Sequence, residues 1–123
     1  MNKIFIPIVL ILFLVNLAQA QSTRVFTVGA EGLYVIAANE VPESFNFDVS
    51  AMHFKSAAIM NQYCETTSSF VVKFTPDFEH QYIHVQIFND KIPNGEKWGV
   101  KDWNEFFLTY QPKWYTYFTS INN

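Results

Sequence analysis

The sequence predicts an all-β domain, an antiparallel two-sheet sandwich, and three observations predict it. Phe, Tyr and Trp make up 18% of the 123 residues and, with Val, Ile and Thr, favour extended chain. Polar and apolar residues alternate over several short runs, the pattern of strands buried on one face. Turn signals recur roughly every ten residues, without the alternating helices that a parallel α/β sheet would require.

Met1–Ala20 reads as a secretory signal peptide ahead of that domain. Lys3 supplies the positive start, Ile4–Leu17 is almost wholly apolar, and Ala18-Gln19-Ala20 has the small-x-small pattern of a cleavage site. Pro7 and Asn16 interrupt the apolar run, which is short for a membrane span. The sandwich is expected over Gln21–Asn123, secreted and without membrane insertion after cleavage.

Arg24–Val28 reads as the first strand, and Gly32 then leads into the apolar run Leu33–Ala38. Val41-Pro42-Glu43-Ser44 is a turn or edge signal. Phe45, Phe47 and Val49 alternate with Asn46, Asp48 and Ser50 as a half-buried strand. Ala51–Thr67 alternates poorly; it fits one or two helical turns around Ala57–Cys64 as well as an irregular strand and loop. Phe70, Val72, Phe74 and Phe78 share one parity, and Lys73, Thr75 and Asp77 the other. Pro76 inside this strand predicts an irregularity or an unpaired edge. Tyr82–Asn89 is the next strand, Asn94-Gly95 a tight turn, and Trp98 the start of another extended stretch. Phe106–Tyr110 and Trp114–Ile121 read as two aromatic strands separated by Gln111-Pro112-Lys113.

Charge and composition narrow the function. The net charge is −3, one unit more negative once Lys3 is removed, and no basic cluster exists, which argues against nucleic acid and anionic membranes. Cys64 is the only cysteine, so it is a buried small hydrophobe, the site of an intermolecular disulfide, or a reactive thiol. His80 and His84 share a strand face but lack a third ligand, so neither a metal nor another cofactor is expected. Cys64 with His53 or His84, and the carboxylates Glu40, Glu43 and Asp48, form no recognisable nucleophile–base or acid–base motif, so no catalytic residues and no enzyme activity are expected.

The order of several motifs resembles a galectin domain. Gly32-Leu33-Tyr34-Val35-Ile36, Val41-Pro42 and Ser44–Val49 resemble its opening strands. Lys73-Phe74-Thr75-Pro76-Asp77-Phe78 is similar to its His-Phe-Asn-Pro-Arg-Phe strand, Ile87-Phe88-Asn89-Asp90 to the strand ending in Asn-Ser, and Trp98-Gly99-Val100-Lys101-Asp102-Trp103 to Trp-Gly-x-Glu-x-Arg. Phe106-Phe107 and the last aromatic strand resemble the family's Phe-Pro-Phe turn and the strand after it. The resemblance implies a galectin/concanavalin-like jelly roll that binds β-galactosides without metal. The chain stops at Asn123, short of the family's strand count, so an incomplete sandwich with exposed edges is expected.

The carbohydrate site implied by this resemblance consists of Trp98 as aromatic platform, Asn89 as amide contact, and Lys73, Thr75, Asp77 and Lys101 as hydroxyl contacts. Asn89 and Trp98 match the family, while Lys73, Thr75, Asp77 and Lys101 replace His, Asn, Arg and Glu, which implies weak or altered specificity. Asp77 and Lys101 repeat the family's Arg–Glu pair with the signs reversed, and a salt bridge across the sheet is expected between them. The function expected is a secreted lectin with glycans or glycoproteins as partners. Its rival is a secreted protein–protein interaction domain, able to pair with a second copy through a sheet edge or Cys64.

Overall fold

A computed structural model describes residues 23–123; the signal peptide read over Met1–Ala20 lies outside the described residues. Four strands and two helices follow one another as β1 (Val25–Thr27), β2 (Ser44–Asp48), α1 (Ala57–Thr67), β3 (Val72–Asp77), β4 (Tyr82–Ile87) and α2 (Val100–Ile121), with 3-10 turns at Ser50–Met52, Asn89–Lys91 and Pro93–Gly95. The strands form one sheet in the order β1-β2-β4-β3. β1 runs parallel to β2, and the other neighbours are antiparallel. This two-layer α/β arrangement overturns the all-β sandwich, and with it the galectin/concanavalin-like jelly roll.

The strand pattern itself is as the alternation predicts. Phe26, Phe45, Phe47, Ile83, Val85, Ile87, Val72 and Phe74 are all buried on one face. β3 forms an edge of the sheet, where Pro76 leaves no ladder donor unmatched. β3 and β4 form a hairpin whose turn ends at Gln81 in the left-handed region (φ 54°), its N–H donating to the Phe78 carbonyl at 3.1 Å.

The helices supply the second layer. Ser56 caps α1, its Oγ accepting from the Ile59 N–H at 3.2 Å, and Met60, Tyr63, Cys64 and Thr67 form its buried stripe. Of the two readings open for Ala51–Thr67, the helical one is therefore correct. The larger correction concerns residues 100–121, read as aromatic strands. They form one 22-residue helix, with Trp103, Phe107, Trp114 and Phe118 buried. Those spacings of four, seven and four are helical rather than alternating, and burial of that aromatic stripe outweighs the β preference of single rings. Pro112 is tolerated because it and Leu108, whose carbonyl loses its donor, both face solvent. Gly99 precedes the helix, and its N–H donates to Asp102 Oδ2 at 2.9 Å, one half of a capping box.

Parallel neighbours require a long crossover, usually a helix. Here residues 28–43 cross without one. Tyr34 and Ile36 of the apolar run Leu33–Ala38 are buried, but the segment joins no ladder. Its backbone is held by α2 instead. The Ile36 N–H donates to Asn104 Oδ1 at 2.7 Å, Asn104 Nδ2 donates to the Ile36 carbonyl at 3.2 Å, and Gln111 Nε2 donates to the Glu31 carbonyl at 2.6 Å. The Tyr34 ring then packs on Phe47 at 4.8 Å and edge-on to Trp114 at 5.9 Å.

Candidate functional site

The uncovered face of the sheet carries Ser44, Asn46 and Asp48 of β2, Tyr82, His84 and Gln86 of β4, and Lys73, Thr75 and Asp77 of β3. Lys73 lies opposite Gln86, Thr75 opposite His84 and Asp77 opposite Tyr82. Three of the expected carbohydrate contacts therefore share one polar face. Asp77 is engaged locally, its Oδ2 lying 2.9 Å from His80 Nδ1.

The remaining expected contacts lie elsewhere. Lys101 stands on the first turn of α2 rather than on a strand, with its Nζ 4.0 Å from Glu105 Oε1. The expected Asp77–Lys101 salt bridge is therefore not formed; the Trp-Gly motif opens a helix where a strand was read. Asn89 sits in the turn after β4, and Trp98 precedes α2. These two line a shallow groove of about 570 Å³ with Asn39, Glu40 and Lys97. The Trp98 indole is half-buried, standing edge-on to Trp103 at 4.9 Å and 5.6 Å from Phe106.

The other side of Trp98 opens into a deeper, largely apolar cleft of about 480 Å³. One wall is the end of α1 with the loop after it: Thr66, Ser68, Ser69, Phe70 and Val71. The other is α2, through Phe106, Tyr110, Lys113, Trp114 and Tyr117. The α2 wall is a continuous aromatic series, with Phe106–Tyr110 centroids 4.9 Å apart and Tyr110–Trp114 stacked at 5.8 Å and 20°. Phe70 at the rim is 64% exposed and Tyr110 42%, so two of the largest exposed apolar side chains border the same cleft.

Most hydroxyls around the cleft are committed to the fold. Thr67 Oγ1 donates to the Tyr63 carbonyl at 2.8 Å. Ser68 Oγ donates to the Cys64 carbonyl at 2.7 Å and accepts from the Phe74 N–H at 2.9 Å. Thr66 Oγ1 donates to the Tyr117 hydroxyl at 3.0 Å. The cleft is thus hydrogen-bonded into the fold on its α1 side and aromatic on its α2 side.

Tyr34, Tyr63 and Cys64 lie in the core and do not line this cleft. Burial raises the Tyr34 and Tyr63 phenols above their ordinary range and pushes the Cys64 thiol up to about 12. Cys64 lies inside the core, so an intermolecular disulfide through it requires the fold to open. Among the described residues no three His, Cys, Asp or Glu side chains are grouped to hold a metal, and no helix is long and apolar enough to cross a membrane.

Strand reasoning placed Phe70 in the core and divided Phe106–Tyr117 between two strands, so it missed this cleft. The signal was present in the spacing of Phe106, Tyr110, Lys113, Trp114 and Tyr117, which share one helical face. Comparison with family models, with curated proteins and with solved structures gave no match for this chain in any of the three.

Proposed function

We propose that this chain is a non-catalytic binding module, secreted by its leader, that holds a small and largely apolar ligand in the cleft between α1 and α2. The observation that carries this reading is the convergence of Phe70, Trp98, Phe106, Tyr110 and Trp114 on one open cleft, with Phe70 left in water. An apolar concavity of a few hundred Å³ with few polar groups is the usual form of a small-molecule site. Two indoles in the wall provide the readout. Tryptophan emission is expected to change on titration with 1-decanol, and Phe70→Asp to weaken that binding at least about five-fold by placing a charge at the apolar rim. Unchanged binding in Phe70→Asp, with the fold intact by circular dichroism, would place the ligand elsewhere.

A second reading is carbohydrate binding in the shallow groove, favoured by Trp98 and Asn89 both lining it beside Asn39, Glu40 and Lys97. An aromatic edge bordered by amides and charges suits sugar C–H and hydroxyl groups. Glycan-array binding that disappears in both Asn89→Ala and Glu40→Gln supports it; retention in both rejects the groove as the site.

A further inference from the structure

The cleft has two chemically different ends, and α2 runs between them. Trp98 and Phe106 form the apolar end. Lys113 and Tyr117, one turn apart on the same helical face, form the other. Lys113 is the only charged side chain lining the cleft, and it takes part in no ion pair among the described residues. The Tyr117 hydroxyl accepts from Thr66, which leaves its own proton free to donate. An ammonium and a phenol O–H therefore face the cleft with no carboxylate lining it, in a chain whose net charge is −3. At the helical rise per residue, the 106–117 stretch of α2 is about 16 Å long, comparable to an extended medium-length acyl chain.

Resting on the reading of the cleft as an apolar-ligand site, we infer that the ligand is an amphipathic monoanion, a medium-chain carboxylate. Its carboxylate lies on Lys113 Nζ and the Tyr117 hydroxyl, and its hydrocarbon lies against Trp98, Phe106 and Phe70. The ammonium gives a point charge rather than a planar fork, which suits a single flexible carboxylate. The aromatic walls supply affinity through apolar burial, and the charged end sets the orientation.

Decanoate and 1-decanol differ in the head group while sharing the chain length, so they separate this inference from the cleft reading. Each is titrated below its micelle or solubility limit into the purified folded protein, with tryptophan emission as readout. Decanoate is expected to bind more tightly than decanol. Lys113→Met is expected to weaken decanoate about five-fold relative to decanol, the scale of one partly exposed ion pair. Lys113→Arg should retain the preference, and 1 M salt should narrow it. Equal binding of the two probes, unaffected by Lys113→Met, overturns the carboxylate assignment while the cleft reading stands. Loss of the preference in a folded Lys113→Arg protein also overturns it. Binding of neither probe removes the cleft reading and this inference together, as does a dimer in sedimentation whose formation competes with the probes.

Discussion

Tyr34 and Tyr63 join the long crossover to α1 through hydroxyls 2.8 Å apart, with Met52 Sδ 3.8 Å from the Tyr34 hydroxyl. Both phenols are buried, and burial favours their neutral forms. Cys64 behaves likewise, its thiol rising from 9.0 to about 12. These shifts set the direction of the pH dependence. In the unfolded chain these groups release protons at ordinary values, while the native state retains them, so the native state binds more protons at alkaline pH. The stability they contribute is complete below about pH 9 and falls as pH rises through 9 to 12. Urea midpoints are expected to decline between pH 8.5 and 11, and Tyr63→Phe to reduce that decline while lowering stability at neutral pH. An equal decline in Tyr63→Phe would assign the alkaline loss to other groups. Trp103 shows a different compromise: its Nε1 is buried without a hydrogen-bond partner. The rings of Trp98 and Phe106 pack against the Trp103 indole at 4.9 and 5.6 Å, standing at 75° and 78° to its plane.

At the scale of elements, α2 organises the molecule. Its buried face completes the core, Asn104 and Gln111 fasten the strandless crossover, and a third face walls the cleft. Pro112 is the one residue that works against this helix, because it deletes a backbone donor in the interior. Pro112→Ala is expected to restore the bond to the Leu108 carbonyl and to stabilise the domain by about 1–2 kcal/mol, read as a higher urea midpoint with an unchanged slope. Destabilisation would mean that the local geometry set by Pro112 is needed to seat Trp114 and Phe118 together. Pro112 also explains why the helix was hard to read. It divides the run into two aromatic pieces, each short enough to pass for a strand.

For the whole molecule, the asymmetry of the two sheet faces matters most. One is covered by both helices; the other carries Lys73, Thr75, Asp77 and their neighbours in water. If this face plays no part in cleft binding, Lys73→Ala and Thr75→Ala should each shift stability by less than about 0.5 kcal/mol and leave decanol titrations unaltered. A loss of decanol binding in either would connect the open face to the cleft. The same substitutions on a glycan array test whether that face holds sugar independently. The exposed edges belong to β1 and β3, the former only three residues long and the latter broken as a donor by Pro76, which limits edge pairing with another chain.

The local alternation of Phe45-Asn46-Phe47 determined a strand and its buried parity, and that of Tyr82–Ile87 a strand, because a strand's side chains obey a period of two wherever one face is buried. Of the two readings open at Pro76, an irregularity or an unpaired edge, the sheet order fits the edge. Alternation did not determine which layer would cover those strands. A run of aromatic residues has the composition of a strand and, in this chain, the spacing of a helix; only packing against Phe47 and Phe74 selects between them. The cleft results from that selection, since Phe70 and Tyr110 become neighbours only after α2 lies across the sheet.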